Sequence, residues 1–428
     1  MTVLETYKKE FKELLPTLRG GQNIARAREK GMEQFVFLGG IPGPKAEDWR
    51  YSDLRTLRAG HLSRPERPFA QTVPEFEPLT RWPVVVVLNG KLLGSTPALK
   101  GVEILGAEQA LDKFPTWAGE YLSPGMEESP LERLNLALSE GGLFINIAKN
   151  TALRGLEIIF LEGGDKKNAH HLRNFIGLEA GAKAQILFRT ISLEKNPGWT
   201  NMVSNFSLSE GAHLSLVCDF EQKEKSFLTG RNFVKVDKRA SFSQVSLALG
   251  LTAHRFETEV NLMGKGADAR LFAALLAGRG EAVDFVTRIH HSRPQAKSRQ
   301  TVRAVAGFEG KTAFQGRVVV EENAQKTVAH QNCSNLILEP SGEVNIKPEL
   351  LIFADDVVCS HGATVGEIDE VALFYMMQRG IPEAEAKAIL VRAFLGDVVE
   401  SLENEVLRSY FEDKIEAWMK QSMGRKQR

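Results

Sequence analysis

The chain is 428 residues long, 43% hydrophobic and 25% charged, and its 54 basic residues balance 54 acidic ones. This length and composition are typical of a folded globular protein with a large core and exclude a disordered chain. A zero net charge excludes a general attraction to nucleic acid or anionic lipid. The cysteines are few, no apolar run approaches the ~20 residues of a membrane helix, and the start does not resemble a signal peptide. We therefore expect a cytoplasmic protein with neither nucleic acid nor membrane as a partner.

The first 80 residues have a helical pattern, and we expect a helical amino-terminal region there. Apolar residues recur at helical spacing at Leu4, Tyr7, Phe11 and Leu14. The segment WPVVVVLNGKLLGS then carries two apolar runs around Asn89-Gly90, which predicts a β-hairpin. A further short helix is predicted at SPLERLNLAL, with Ser129 as the cap and Pro130 at the first helical position.

Residues 81–365 read as strand and turn for most of their length and contain an internal repeat. Its units are FIGLEAGAKAQILF around Gly181, NFSLSEGAHLSLV around Gly211, FVKVDKRASFSQV around Ala240 and EVNLMGKGADARLF around Gly266. These turns lie 30, 29 and 26 residues apart, and RAVAGFEGKTAFQGRVVV around Gly310 repeats the theme after a longer insertion. A near-constant period with one strand pair per unit favours a stacked β-helix-like solenoid. An ordinary β-sandwich, with short strands at regular intervals, is the alternative.

Residues 366–428 have a helical pattern again. EIDEVALFYMMQRG predicts a helix that ends at Gly380, and Pro382 with Glu383 opens the next one. Apolar stripes follow at Ala386, Ile389, Leu390, Ala393 and Phe394, and at Leu395, Val398, Val399, Leu402 and Val406. This region is either a cap on the end of the β array or a docking surface for a partner.

The segment FADDVVCSHGATVGEIDE, residues 353–370, brings a cysteine and a histidine together. In an extended strand, residues two apart share a face, so Asp355, Val357, Cys359 and His361 are expected to form one row. A thiolate beside an imidazole is a donor pair of the kind that binds iron, zinc or iron–sulfur species. Two donors do not complete such a site, so the other ligands must come from elsewhere in the fold or from another chain.

Two other interpretations of this pair remain open. In the structural one, Cys359 is a small core residue and His361 is a strand-end histidine bonded to backbone. In the other, Cys359 is a protease nucleophile, but spacing does not place the base and oxyanion donors that such chemistry needs.

Other candidate residues give weaker signals. His330 and Cys333, in HQNC, differ by an odd number and are expected to face opposite sides of a strand. Cys333 precedes Cys359 by 26 residues, about one repeat, which puts the two on neighbouring rungs. We assign His330 and Cys333 no role. Cys218 is expected in the core.

Histidine pairs and a glycine-lysine-threonine sequence complete the candidates. His170-His171 and His290-His291 lie in polar, turn-rich contexts that predict surface or loop positions. Gly310-Lys311-Thr312 ends like a phosphate-binding loop, but Val305 stands where that loop needs a glycine and a strand follows. We expect no ATP site in this chain.

One long segment resembles a known family. KPELLIFADDVVCSHGATVGEIDEVALFYMMQRGIPEAEAKAILVRAFLGDVV, residues 347–399, resembles the SufB/SufD family of iron–sulfur cluster assembly proteins, and more closely its SufD branch. The CSHGAT segment stands where SufB chains usually carry a CEHEAT-like segment. KAEDWRYSDL, residues 45–54, looks like the family's amino-terminal tryptophan motif, and LERLNLAL with GGLFINI looks like its entry into the β core.

The resemblance implies both a fold and a role. The fold is a right-handed parallel β-helix core flanked by amino-terminal and carboxy-terminal helical regions. The role is that of a non-catalytic scaffold that pairs with SufB through the end of the β-helix and binds the SufC ATPase through its carboxy-terminal helices. Nascent clusters are built there with sulfur delivered through SufE or SufU. Cys359 and His361 then match the family's cysteine and histidine at the SufB interface, where a transient cluster is shared with the partner.

A different class of function stays open at this point. Parallel β-helices also host polysaccharide lyases and hydrolases, in which acidic clusters bind calcium or act as acid and base. Asp355 and Asp356 fit that pattern poorly, because adjacent strand residues face opposite sides. Whether an isolated chain forms a homodimer, and which cluster type it carries, are not contained in the sequence.

Overall fold

A computed structural model gives the fold of residues 2–424, apart from residues 20, 53, 65–76, 114–118, 120–121, 123–124, 127, 164–167, 193–197, 222–226 and 250–252. Helices occupy the two ends of the chain and one short stretch before the main β region. They are α1 Val3–Leu14, α2 Gly21–Phe37, α3 Arg55–Ala59, α4 Ala107–Lys113, α5 Pro130–Leu138, α6 Glu370–Gln378, α7 Glu383–Val399 and α8 Glu405–Gly424. Short 3₁₀ helices lie at Leu15–Thr17 and Glu47–Trp49.

Strands fill the rest of the described chain. They are β1 Val84–Leu88, β2 Lys91–Leu93, β3 Val102–Gly106, β4 Leu143–Ile147, β5 Ala152–Glu162, β6 Ala169–Leu178, β7 Lys183–Ser192, β8 Trp199–Leu208, β9 His213–Glu221, β10 Phe227–Val236, β11 Ser241–Leu249, β12 Ala253–Leu262, β13 Asp268–Ala277, β14 Ala282–His291, β15 Lys297–Ala306, β16 Lys311–Val320, β17 Val328–Ile337, β18 Glu343–Ile352 and β19 Val358–Glu367.

The strands form two facing sheets that the chain visits alternately. Within the described residues, sheet A has the order β19-β17-β15-β13-β11-β9-β7-β5-β1-β2, and sheet B has the order β18-β16-β14-β12-β10-β8-β6-β4-β3. From β5 onward each strand pairs in parallel with the strand two places along the chain. This topology is a β-solenoid of about 7 turns, with helices at both ends of the chain. The predicted mainly β solenoid is confirmed.

The tight turns that suggested the repeat join a sheet B strand to the next sheet A strand. Gly181 and Gly211 adopt positive φ angles of 71° and 67°, which favour glycine. The predicted place of Gly310 in this series is wrong, because residues 307–310 join β15 to β16 on the opposite side of the solenoid. The equivalent turn is at residues 292–296, where Gln295 has a φ of 61°. The period therefore continues without the expected insertion.

Alternate residues of both sheets fill the interior between them. Ladders of in-register side chains pack there, such as Phe256, Phe285 and Phe314 on successive sheet B strands. Burial of this continuous apolar core supplies the main stabilisation, at about 25 cal/mol per Å² of apolar surface removed from water.

The two ends of the solenoid differ. At the first end, the predicted hairpin at Asn89-Gly90 is confirmed: β1 and β2 pair antiparallel, and both turn residues have positive φ. β3 and β4 also pair antiparallel. Both sheets therefore begin with an antiparallel pair at this end, whereas at the other end they finish on the parallel strands β18 and β19.

The amino-terminal region covers the outer face of sheet B. The Trp49 ring lies 3.9 Å from the guanidinium carbon of Arg255, which is on β12. Arg255 is buried and pairs with Asp284 at 2.5 Å and with Glu257 at 2.9 Å. Ser52 donates a hydrogen bond to the same Asp284 carboxylate. The tryptophan segment is thus held to the solenoid by a buried ionic network.

The electrostatics of this network follow from its excess of guanidinium groups around one carboxylate. Burial by itself raises the pKa of Glu257, but Arg255, Arg231 and Arg288 outweigh that effect and hold the pKa well below its usual range. A carboxylate with a depressed pKa stabilises the fold above its unfolded pKa of about 4.3 and loses that contribution as the pH falls.

The carboxy-terminal helices lie on the outer face of sheet A rather than as a cap on the end of the solenoid. Leu247 and Leu276 of the sheet share a hydrophobic cluster with Leu395 of α7 and Phe411 of α8. Phe394, in one of the predicted stripes, is only partly buried. In the described part of the chain, no helix has the length and apolarity needed to cross a lipid bilayer.

The buried network gives the first prediction. Replacement of Arg255 by Met should lower the free energy of unfolding by about 3–5 kcal/mol, because it leaves the buried Asp284 carboxylate without its cation and removes one of the three guanidinium groups around Glu257. Chemical denaturation measures the change. The control is Arg270→Met, which removes an exposed arginine that pairs with Asp268, and it should change stability by less than about 1 kcal/mol. A loss below about 2 kcal/mol for Arg255→Met would contradict the interpretation.

Candidate functional site at the open end of the solenoid

The last turn of the solenoid, β18 and β19, presents free strand edges. No other described strand pairs with their outer edges. Several large apolar side chains of this turn are exposed, namely Leu351, Ile352, Phe353, Val358 and Val365. Unpaired edges together with exposed apolar residues are uncommon on a monomeric protein and typically mark an interaction site. We call this surface the mouth, and define it as β18, β19 and the turn that joins them.

Cys359 and His361 lie in β19 with their side chains on the inner face. Cys359 is in register with Ala329, and His361 is in register with Gln331. Both β17 partners are buried and alternate with exposed residues, so they face the interior. In-register residues of parallel strands share a face, and positions two apart are separated by about 6.6 Å along the strand. The donor pair therefore opens into the mouth.

The environments of the two side chains differ. Cys359 is half-buried and packs against a small apolar cluster that includes Val318 and Ala329. This burial raises the pKa of the Cys359 thiol, and a hydrogen bond with the backbone of Ala329 partly opposes the rise. His361 is exposed, and no hydrogen bond links its ring to another described residue. The imidazole is accordingly open to a ligand that enters through the mouth.

The chemistry of this pair is that of an unfinished site. Within the described residues, no three His, Cys, Asp or Glu side chains are close enough together to hold a metal ion. A thiolate and an imidazole suit iron, zinc and iron–sulfur species, which need further ligands. An ion or cluster held here therefore requires a donor from outside this group of residues.

The predicted strand does not extend back to Asp355 and Val357, although Val357 packs on the same apolar cluster as Cys359. Asp355 and Val357 lie in the turn before β19, which begins only at Val358. Asp356 is exposed and pairs with Lys326 at 3.3 Å. The chain must reverse between the two sheets at this point, so the strand starts three residues before His361 rather than six.

The other cysteines belong to the interior. Cys333 is fully buried, accepts a hydrogen bond from Asn335, and has a pKa that burial raises to about 11. Burial also raises the pKa of Cys218. Cys333 is on the strand next to Cys359, as predicted, but its register partner is Ala363. Four strand positions, about 13 Å, therefore separate the two cysteines.

His330 faces outward, opposite to Cys333, as the odd spacing predicts. Its Nδ1 lies 2.7 Å from the hydroxyl of Ser360 on β19. It shares neither the face nor the environment of His361, although the two are on neighbouring strands. This makes it a useful control residue.

The surface or loop positions predicted for the two histidine pairs are wrong. His170 and His171 lie in β6, His290 and His291 lie in β14, and all four are buried. Burial lowers the pKa values of His170, His171 and His291 to about 4. Their polar sequence context misled the prediction, because strands in this solenoid are covered on both faces.

Sequence reasoning also missed a polar side chain next to the donor pair. Gln331 lies on β17 directly in register with His361, and its side chain is buried. The signal was present as the 30-residue offset between the two positions, close to the period of the repeat.

The fold and the open end place the chain among parallel β-solenoid proteins whose last turn carries a cysteine–histidine pair. Comparison with known proteins makes this specific. Residues 160–394 match the family described as SUF system FeS cluster assembly, SufBD core domain. The chain belongs to the SufBD family of iron–sulfur cluster assembly proteins.

Individual relatives agree with this assignment. The chain is 30% identical to the iron–sulfur cluster assembly protein SufD of Escherichia coli (strain K12), over 88% of each chain. It is 24% identical to a SufBD family protein of Synechocystis sp., over 85% of this chain and 84% of that one. It is 27% identical to SufD of Bacillus subtilis (strain 168), over 69% and 68% of the two chains. The predicted resemblance to SufD is confirmed.

The burial of the three thiols gives a second prediction. In the native protein at mild alkaline pH, an aromatic disulfide reagent should titrate one thiol, Cys359, and all three only after denaturation. The native reaction should accelerate as the pH rises above about 8.5, because a raised thiol pKa leaves little thiolate at neutral pH. Cys359→Ser is the matched control and should remove the native signal. Rapid modification of Cys218 or Cys333 in the folded protein would contradict the structure.

Proposed function

We propose that this chain is a non-catalytic, SufD-like scaffold subunit that pairs with a SufB-like subunit through the mouth and acts in the cytoplasm. The observation that carries the proposal is the pair of soft donors, Cys359 and His361, on the last strand of the solenoid, whose outer edge has no described neighbour. Family membership favours cluster assembly over the polysaccharide alternative that the β-helix left open.

The mouth has the properties that pairing through strand edges requires. Its free backbone N–H and C=O groups are satisfied when a partner's strands continue both sheets. The exposed side chains of Phe353, Val358 and Val365 supply apolar contact area beside these edges. In an isolated chain the same surface is available to a second copy, so a homodimer is expected in the absence of a SufB-like subunit.

The nascent iron–sulfur cluster is the cargo of such a complex. Cys359 supplies a thiolate and His361 an imidazole, and both ligand types are known for iron–sulfur clusters. With two donors from this chain, a cysteine of the SufB-like partner would complete the site. The sulfur then arrives through a SufE-like or SufU-like protein, as the family resemblance implies.

The function of His361 gives the third prediction. In the purified complex, His361→Ala should reduce iron–sulfur content about tenfold or more while it leaves subunit assembly and thermal stability nearly unchanged, because the side chain is exposed and contributes little packing. Cys359→Ser should have a milder effect if Cys359 only flanks the site. Iron and sulfide analysis and thermal unfolding are measured on the same samples.

His330→Ala is the control for that experiment. It removes a histidine from the neighbouring strand, close to β19 but on the outer face. Cluster content should stay at the wild-type value in this variant. Normal cluster content in His361→Ala would falsify the proposed role.

The carboxy-terminal helices are proposed to bind a SufC-like ATPase, which brings the ATP site that we do not assign to this chain. Val371, Phe374 and Tyr375 of α6 are exposed, and their spacing puts them on one helix face. Leu373, between them, is buried against the rest of the helical region. An apolar helix face of this kind suits a partner groove.

Phe374 gives the fourth prediction. Phe374→Asp should weaken ATPase binding by about tenfold or more, because it puts a charge into an apolar interface, and should change stability by less than about 0.5 kcal/mol. Titration of the variant against the ATPase measures the effect. Deletion of residues 366–428 is less informative, because these helices share a core with sheet A.

The matched control is Met263→Asp. Met263 is also an exposed apolar residue, but it lies in the turn between β12 and β13. Undiminished ATPase affinity in Phe374→Asp, or an equal loss in Met263→Asp, would show that α6 is not the docking surface.

A further inference from the structure

The interior directly beneath His361 is polar. Gln331 is 3% exposed, and both its amide oxygen and its amide nitrogen are buried without a hydrogen-bond partner among the described residues. A buried polar group without a partner is destabilising, because it has given up its hydrogen bonds to water without replacing them. A side chain with two such atoms beside an open site calls for a functional explanation.

Gly316 on the facing sheet makes the room for this amide. A Cβ atom at Gly316 would lie 2.0 Å from Gln331 Nε2 and 2.6 Å from the ring of Phe314. The Gln331 side chain therefore extends from β17 across the interior to β16. Gly316 is in register with Pro348 of β18, so the amide lies one turn below the floor of the mouth.

A second glutamine continues the polar column one turn deeper. Gln300, on β15, is in register with Gln331 and accepts a hydrogen bond from the hydroxyl of Thr287 at 2.5 Å. Three successive strands of sheet A thus present Gln300, Gln331 and His361 in one inward-facing column. In-register glutamines on parallel strands can hydrogen-bond amide to amide along the column.

The geometry points to Gln331 as a positioning residue for His361. Gln331 makes neither contact in the structure, so the proposed arrangement needs a rotation of its side chain. The amide oxygen would then accept the hydrogen from one ring nitrogen of His361, and the amide nitrogen would donate to Gln300 Oε1, which also accepts from the Thr287 hydroxyl. The other ring nitrogen of His361 then keeps its lone pair and faces the mouth. This inference rests on the proposed function, because a fixed His361 tautomer has a purpose only when the ring binds a cluster.

Such a contact determines which nitrogen can act as a ligand. A histidine that binds a metal typically donates its other ring N–H to a carbonyl or carboxylate, which fixes the tautomer and the ring orientation. Here the exposed imidazole would otherwise rotate and exchange tautomers in water. Gln331 holds it in the form that a cluster shared across the interface requires.

The test uses the full-length, cluster-free protein labelled with ¹⁵N-histidine. The chain has nine histidines, and the His361 ring signals are identified by their loss in His361→Ala. In the wild type, the two ring nitrogens should give well-separated shifts, as one fixed tautomer requires. In Q331L the shifts should converge toward a common average. Q331E keeps an acceptor and should preserve the separation when the spectra are recorded at a pH at which the imidazole ring is neutral.

The controls distinguish the loss of a fixed His361 ring orientation from a general loosening of the fold. Q300L removes an amide of the same column that is one strand away from His361, and it should leave the His361 shifts unchanged. Q331M fills a similar volume and replaces Q331L if that variant does not fold. Averaged shifts in the wild type, unchanged shifts in the Gln331 variants, or equal convergence in Q300L would each overturn the inference.

A second measurement connects the inference to the complex. Q331L should lower cluster content about tenfold, the usual effect of losing the partner of a ligand histidine, whereas Q300L should not lower it. The proposed function and the positioning role of Gln331 can be contradicted independently of each other. Normal cluster content in His361→Ala overturns the proposed function, while the ring-nitrogen shifts of the isolated protein test Gln331 independently.

Discussion

Every strand of a parallel β-ladder needs a neighbour on each edge and a cover on each face, and this requirement organises the whole molecule. Inside the solenoid, successive turns satisfy the edges of one another. The amino-terminal region covers sheet B, and the carboxy-terminal helices cover sheet A. At the first end, antiparallel pairs begin both sheets. At the other end, β18 and β19 have no described strand beyond their outer edges, and β19 carries Cys359 and His361. The proposed site and the unpaired strand edges therefore coincide, so the proposed partner would complete both.

The covers are attached by different physical means. Sheet B uses buried ions: Arg255 is held between Asp284 and the Trp49 ring. Sheet A relies mostly on apolar packing, with a local polar anchor where Asp219 accepts hydrogen bonds from Tyr410 and Lys414. Buried ion pairs contribute little net stability but strongly penalise misplacement of either partner. The tryptophan segment is thus fixed in position, whereas the helices of the other face are joined to the sheet by a non-directional core.

Local patterns were sufficient for much of this architecture. The repeat of about thirty residues predicts the positive-φ turns at Gly181 and Gly211. The Asn89-Gly90 dipeptide predicts the hairpin, and the two-residue alternation of a strand predicts that Cys359 and His361 share a face. Register between turns does not follow from local patterns, because it depends on which residues meet across a ladder. For that reason local patterns predict the Gly310 turn on the wrong side of the solenoid and give no indication of Gln331 beneath His361. Local patterns also misplace the buried histidine pairs, because polar residues indicate solvent exposure only where a strand has an uncovered face.

The parallel stacking also fixes the length of the solenoid. Each turn adds about 4.8 Å along the axis, so about seven turns hold the capped end and the mouth roughly 30 Å apart. The side chains around His361 come from only the last turns, so this length is independent of the chemistry at the mouth. Removal or addition of one whole repeat would change the length of the solenoid by one turn, about 4.8 Å. The geometry of the last turn would stay the same. Under the proposed pairing, such a change would alter the dimensions of the assembly without altering the interface between its subunits.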